Sequence, residues 1–230
     1  AAVHSLKDVP MQLDAGFELA AVLKRDNPFD AFISENFSGI DVLPIGAVVG
    51  TSSQRRQVQL KQRRPDIRIK DLRGNINTRL AKCANGDFDA IILACAGLER
   101  LGLQERIRAE LKPDAWWPAV AQGAIAVESL SAKPEITALF AALNDKPTEL
   151  RVRAERAMNK ALHGSCQVPV AAYAEIHGDV MRLTGWVGDA MNIRSISANA
   201  EGVADQPEAL GQTVADMLYA QGAAELLHIP

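Results

Sequence analysis

Apolar positions along the chain fall into short runs separated by helical stretches. Ala1-Ala2-Val3-His4-Ser5-Leu6 reads at once as a strand, and the apolar segment at 17–23 supplies at most one partner for it. From 28 to about 117, strand-like runs at 30–34, 46–50, 67–70 and 88–94 alternate with helical stretches at 53–63 and 75–84. Polar capping or glycine chemistry opens each helix, and Asn85-Gly86 closes the second. Alternation of this kind predicts an α/β layer with largely parallel strands.

A second apolar strand region covers 118–129 (PAVAQGAIAVES), with a helix at 134–143 after it. Asn144-Asp145-Lys146-Pro147 reads as a linker. A helix at 148–162, charged on one side, ends at Gly164. Strands at 168–176, 180–187 and 192–198 follow, and His177-Gly178-Asp179 and Gly188-Asp189 turn between them in the manner of antiparallel pairs. The last helix begins near Pro207, with Leu210, Val214, Met217 and Leu218 at helical spacing. Residues 146–230 therefore predict a small α+β domain. Neither an internal repeat nor a low-complexity tract is present.

Composition narrows the class. Hydrophobic residues make up 48% and charged residues 23% of the 230, which excludes a mainly disordered chain. No apolar run reaches the roughly 18–20 residues that span a bilayer, and Lys7, Asp8, Asp14 and Glu18 break any signal-peptide pattern. The opening without Met, directly on a strand, predicts a truncated chain whose first domain is incomplete. Cys83, Cys95 and Cys166 are too few and too scattered for a disulfide framework or a zinc site, so a cytoplasmic setting and no metal are expected. The net charge of −3 conceals a segregation. Residues 51–82 hold ten Lys/Arg against Asp66 and Asp71, a local +8, which leaves −11 on the rest. That pattern suits an anionic ligand held locally.

Candidate chemistry sits in loops. Gly50-Thr51-Ser52-Ser53-Gln54-Arg55-Arg56 follows a strand and opens a helix, where free backbone N–H groups make an anion site. Two arginines in a first helical turn oppose the helix dipole. Either they are solvated surface arginines, or an anionic ligand normally sits beside them. Asp71-Leu72-Arg73-Gly74-Asn75 repeats the device, with Arg79 one turn in, and together the two loops point to one polyanionic cleft. No phosphate-loop or Gly-x-Gly-x-x-Gly motif occurs. Asp8 is either a turn residue before Val9-Pro10 or a carboxylate facing the same cleft. Cys166 lies in a small-residue loop, inert or reactive, with His163 near in sequence. Cys83 and Cys95 read as core, and Trp116-Trp117 as packing at a domain junction. His177 and His228 receive no role.

VHSLKDVP, GTSSQRRQ, LRGNINTRL, DAIILACAGLERLG, PAVAQGAIAVE and GSCQVPVAAYAE, in this order, closely resemble the porphobilinogen deaminase family over essentially all 230 residues. The family's N-terminal portion would precede Ala1. The resemblance implies three domains of α/β type, the first two like a two-lobed periplasmic binding protein and the third a small α+β domain with a three-stranded antiparallel sheet. On this chain they would be 1–27 plus 118–142, 28–117 and 146–230. It further implies a transferase that joins four porphobilinogen molecules head to tail with loss of ammonia, then releases hydroxymethylbilane by hydrolysis, in haem biosynthesis. A dipyrromethane cofactor would be bound through a thioether to Cys166. Asp8 would be catalytic, meeting pyrrole N–H groups and stabilising the cationic methylene-pyrrolenine. Each pyrrole bears an acetate and a propionate, so the resemblance makes Arg55, Arg56, Arg73, Arg79 and Arg100 ligand-binding arginines. Of these, Arg73, Arg79 and Arg100 would serve the substrate. Ser5, Lys7, Ser53, Gly74, Asn75 and Gln122 would fall at further cleft positions beside the cofactor. Ala121 stands where a glycine is usual, as does Ser165 in many members, and either would shift local backbone geometry. A chain without the N-terminal segment is expected to be weakly active or inactive.

Two other classes compete. A catalytically dead anion-binding module would share fold and charge but would not need Cys166. A nucleic-acid binder using 51–82 would show a steep salt dependence, yet the tract lacks interleaved aromatics. The expected partner is therefore the small molecule porphobilinogen, with no nucleic acid, no membrane, and nothing that demands more than a monomer.

Overall fold

The computed structural model describes residues 1–163 and 168–228. β1 (Ala2–Ser5) runs into a 3-10 turn (Leu6–Asp8) and is followed by β2 (Phe17–Val22). Next come β3 (Asp30–Ile33), β4 (Val48–Gly50), α1 (Gln54–Arg63), β5 (Arg68–Lys70), α2 (Ile76–Ala84), β6 (Ala90–Ala94), α3 (Cys95–Glu99) and β7 (Ala109–Leu111). The remainder forms β8 (Ile125–Leu130), α4 (Pro134–Ala141), α5 (Lys146–Ala161), β9 (Val170–His177), β10 (Val180–Asp189), β11 (Arg194–Val203), α6 (Pro207–Ala220) and α7 (Ala223–Leu226).

These strands make three sheets. In the first, β8 lies between β1 and β2 and is antiparallel to both, with Ala2 opposite Glu128. The N-terminal strand thus pairs with a distant segment and not with the one at 17–23. The second sheet has the order β5-β4-β6-β3-β7 and is mixed, which corrects the expectation of largely parallel strands. α1 and α2 supply the crossovers that keep β4, β5 and β6 parallel, whereas β3 enters from the opposite end and runs antiparallel to β6 and β7. The third sheet is an antiparallel meander, β11-β10-β9, whose first turn uses Gly178 at φ +61°.

Side-chain alternation builds the cores. Along β3 and β6, Phe32, Ala90 and Ile92 face one apolar layer with Leu60, Ile67 and Trp116, while Ala31, Ile33, Ile91 and Leu93 face the other with Leu80 and Leu98. A third core is shared by the first and third sheets, joining Leu6, Val22 and Ala126 to Val152, Met158, Leu183 and Leu218. Cys83 and Cys95 are buried in the lobe formed around the second sheet. Trp117 packs with Val58, Ala171 and Trp186 where α1 meets the third sheet.

The segment 144–147, read as a linker, is instead the start of α5. Asp145 accepts a hydrogen bond from the Thr148 N–H at 2.9 Å, and Pro147 lies in the first turn. Among the described residues no helix is long and apolar enough to cross a membrane.

A cationic double cavity as candidate active site

The site begins where β1 gives out. Buried Leu6 anchors the 3-10 turn, donating its N–H to the Ala124 carbonyl at 2.9 Å. Arg156 of α5 then holds the following loop, donating to the carbonyls of Val9 at 3.1 Å and Pro10 at 2.6 Å. Lys7 and Asp8, on that turn, line a cavity of about 180 Å³ together with Ser53, Arg55, Arg56, Gln122 and Asn159. A second cavity, of about 170 Å³, shares Lys7, Arg56 and Gln122 and adds Ser5, Arg79 and Arg100. The shared walls make one double cavity between the first and second sheets.

Arg55 and Arg56 open α1, and both are buried. Their nearest anion is internal: Asp30, at the head of β3 and without exposed surface, pairs with Arg55 Nη2 at 2.8 Å and Arg56 Nη2 at 2.5 Å. Burial alone would raise the Asp30 pKa, but the charges of Arg55 and Arg56 and the bonds from Arg56 and Trp116 hold it well below the carboxylate range. For Arg55 burial is the largest influence and lowers its pKa, against the attraction of Asp30. Lys7 is pulled down to about 8, first by burial and then by the charge of Arg56, with a smaller push from Arg55; Asp8 and Asp30 act in the opposite sense.

The remaining cations are placed less uniformly. Arg79 donates to the Gly74 carbonyl at 2.7 Å, and burial followed by the charge of Arg56 lowers its pKa. Arg100 bonds Asp26 and the Gly123 carbonyl, both at 2.8 Å. Gly123, at φ +90°, admits a close crossing, since a Cβ there would stand 2.7 Å from the Asp26 carbonyl oxygen. Arg73 lines neither cavity; its side chain is 81% exposed and 3.6 Å from Asp71. Gly74, at φ +118°, and Asn75, which accepts from the Thr78 N–H at 2.9 Å, likewise lie outside both linings and form the start of α2. Cys166 and Ser165 lie outside the described residues.

The basic tract 51–82 does not form one surface. Arg63 pairs with Asp41, Arg64 with Asp66, and Lys61 donates to backbone carbonyls, so of its ten cations only Arg55, Arg56 and Arg79 line the double cavity. Two site residues escaped the sequence reading. Asp30 had one signal, a lone carboxylate opening an apolar strand. Asn159 had none, because its place on the cavity depends on how α5 docks. Ala121, in the position where glycine is usual, takes φ +58° and donates its N–H to Glu155 Oε2 at 2.7 Å. The turn is therefore the glycine type with alanine strained into it.

Three buried polar atoms of the lining have no partner among the described residues: Arg56 Nε, Gln122 Oε1 and Asn159 Oδ1. The first is a cationic donor suited to a carboxylate; the other two are acceptors suited to a pyrrole N–H, as is Asp8. The donor set therefore fits a short chain of carboxylated pyrroles. No group of three or more His, Cys, Asp or Glu among the described residues is placed to hold a metal ion.

Fold and site together define an α/β protein with an arginine-rich cleft between two sheets, chemically suited to a polyanion, and a carboxylate at the cleft wall. Residues 1–138 match the family description "Porphobilinogen deaminase, dipyromethane cofactor binding domain", and residues 149–220 match "Porphobilinogen deaminase, C-terminal domain". Porphobilinogen deaminase of Stenotrophomonas maltophilia strain K279a is 58% identical over 228 residues, covering 99% of this chain and 75% of that protein. The Xylella fastidiosa strain M23 protein of the same name is 58% identical over 226 residues, covering 98% and 74%. Among solved structures, a Bacillus subtilis lipoprotein is similar at a TM-score of 0.42 and 13% identity over 59% of this chain and 64% of its own. The periplasmic VFT2 domain of Bordetella pertussis BvgS is similar at a TM-score of 0.34 and 17% identity over 53% of this chain and 52% of its own. The chain belongs to the porphobilinogen deaminase family, transferases of tetrapyrrole biosynthesis that carry a dipyrromethane cofactor.

Proposed function

We propose that the double cavity is where porphobilinogen units are joined head to tail into hydroxymethylbilane, with Asp8 as the catalytic carboxylate and Cys166 as the point of cofactor attachment. Ser5, Lys7, Ser53, Arg55, Arg56 and Gln122 hold the cofactor, and Arg79 and Arg100 hold incoming substrate. Gly74 and Asn75 for the cofactor and Arg73 for the substrate would act from the start of α2, outside both linings. The observation that carries this reading is the company Asp8 keeps. It is an acceptor on a wall that also holds the cations Lys7, Arg55 and Arg56, beside three unpartnered buried polar atoms.

Each addition breaks the carbon–nitrogen bond of one aminomethyl group, releases ammonia and forms one carbon–carbon bond. When bound, the dipyrromethane supplies the pyrrole carbon to which the first unit is joined. The cations neutralise acetate and propionate groups, and arginine forks fix their planes. Asp8 accepts the pyrrole N–H of the reacting unit and faces the positive charge that develops as ammonia leaves. A fixed carboxylate there lowers the barrier electrostatically, and it takes up the proton the new bond displaces. Leu6 and Arg156 keep Asp8 in place from either side of the turn.

Three units follow from the same reading: 1–27 with 118–142, 28–117, and 146–230, the last bearing Cys166. Each holds one of the three sheets, which supports the division. The same reading expects a cytoplasmic monomer acting on the small molecule porphobilinogen.

The test is the intact mass of the chain after exposure to porphobilinogen, with and without Cys166→Ser, beside an aldehyde colour reaction for pyrroles. The expected result is a dipyrrole-sized excess with a positive colour reaction, both absent from the variant. An excess that survives Cys166→Ser would refute the attachment. Asp8→Asn is expected to keep the excess while kcat falls at least ~100-fold, the usual scale for a lost acid–base and electrostatic group.

A further inference from the structure

Asp30 lies behind the cleft wall and is not part of either cavity lining. Its carboxylate is nonetheless fully engaged, mostly by residues that are. Oδ1 accepts from Arg56 Nη2 at 2.5 Å and Gln122 Nε2 at 2.9 Å; Oδ2 accepts from Arg55 Nη2 at 2.8 Å and Trp116 Nε1 at 2.8 Å. Three of these donors belong to side chains that line the double cavity, and they arrive from two different places, the head of α1 and the segment entering β8.

A negative charge beside a site for polycarboxylates weakens the site's positive potential. Its presence is explained by what it immobilises. With Nη2 held by Asp30 and Nη1 by the Ile92 carbonyl at 3.0 Å, the Arg56 guanidinium cannot turn, and Nε is the position left without a partner. Gln122 is fixed in the same way: Nε2 is spent on Asp30 and on the Pro28 carbonyl at 2.7 Å, leaving Oε1 free. One buried carboxylate thus decides which atom of each residue remains for a ligand.

We propose that Asp30 is a positioning residue of the polymerisation: without touching substrate, it sets the planes of Arg55, Arg56 and Gln122 so that Arg56 Nε and Gln122 Oε1 meet the ligand in one orientation. The functional consequence rests on the reading of the double cavity as the tetrapyrrole site. Asp30 also acts through space on Lys7. The charged groups around that ammonium are Arg55 and Arg56 on α1, Asp8 on the turn and Asp30 on β3, and the two carboxylates alone favour its protonated form.

Two variants separate orientation from charge. Asp30→Asn removes the charge, and Trp116→Phe removes one donor to Oδ2 while keeping it. In ¹H–¹⁵N spectra the Arg56 Nη protons, held by Asp30 and the Ile92 carbonyl, are expected to exchange slowly with water in the parent chain and faster in both variants, whether or not turnover is measured. KM for porphobilinogen is expected to rise about tenfold in Asp30→Asn, the scale of one weakened charge-assisted hydrogen bond. The alkaline limb of the activity profile should move to lower pH in Asp30→Asn and stay in place in Trp116→Phe, because only the first withdraws a negative charge from Lys7.

A folded Asp30→Asn with unchanged Arg56 exchange, KM and alkaline limb would overturn the proposal. If that variant does not fold, Trp116→Phe decides: unchanged exchange and KM overturn the proposal, and a rise in both supports it. Failure of the parent chain to act on porphobilinogen would count against the functional reading, while the exchange measurement still decides whether Asp30 orients Arg56.

Discussion

Lys7 carries its ammonium into a wall that already holds Arg55 and Arg56, and its pKa of about 8 records the cost. In the unfolded chain the same amine titrates near 10.5. Between those values the unfolded state binds more protons, so stability rises with pH across that window, and below it the penalty is present in full. Lys7→Met is therefore expected to raise the melting temperature of the ligand-free chain at neutral pH and to flatten its rise between pH 8 and 10.5. Melting curves at a series of pH values check this, and an unchanged slope would exclude Lys7 as its source. The arginines beside it show what a sequence conveys at this scale. Two cations in a first helical turn are visible as a conflict with the helix dipole that suggests an anionic ligand, whereas the structure sets an internal carboxylate beside them. That the first anion is Asp30, 25 positions earlier, is set by the β3–β6 pairing that brings the two together, and no local pattern contains it.

Elements meet more closely than their hydrophobic spacing implies. α5 and α6 cross at Gly211, where a Cβ would stand 2.6 Å from the Ala154 carbonyl oxygen, 2.7 Å from the Ala157 Cβ and 2.8 Å from the Met158 nitrogen. Two of those three atoms are backbone, so a methyl group there moves a helix and not a side chain. Gly211→Ala gains up to ~1 kcal/mol of helix propensity, but overpacking costs about 1–3 kcal/mol. The net expectation is a lower melting temperature, by about 2–4 °C for each kcal/mol lost in a chain of this size. A melting temperature at or above that of the parent would refute the tight crossing. Sequence pattern gave both helices their apolar faces but missed the start of α5, because Asp145 and Pro147 look alike in a linker and in an N-terminal cap. The antiparallel run of β3 was equally hidden, since alternation of strand and helix constrains only those strands that a crossover helix joins.

At the scale of the whole molecule, the partner of β1 is β8, and a strand's apolar pattern announces its existence without naming its neighbour. The segments that lead from the first sheet toward the second are held by a second buried ion pair. Arg25 lies between β2 and β3, and Glu155 lies on α5; they meet at 2.6 Å and 3.2 Å through a forked pair whose side chains are 2% and 0% exposed. Arg25 Nε donates to the Gln122 carbonyl at 2.8 Å, and Glu155 accepts from the Ala121 N–H at 2.7 Å and the Ala174 N–H at 2.9 Å. Both segments that cross between the first and second sheets are thereby pinned to the third. Glu155→Gln keeps the shape but leaves Arg25 buried without a countercharge and turns an amide NH₂ toward a backbone donor, so a loss of about 3–5 kcal/mol is expected. Urea unfolding would show it as a lower midpoint. The double change Arg25→Met with Glu155→Leu removes both charges and should recover part of the loss, because an apolar pair no longer pays the desolvation of two ions. If Glu155→Gln instead unfolds within about 1 kcal/mol of the parent, as a surface pair would, the pair does not join the units. Recovery in the double variant with the Asp8 turn still in place would mean that the ion pair serves rigidity, while the chemistry resides in the cavity it frames.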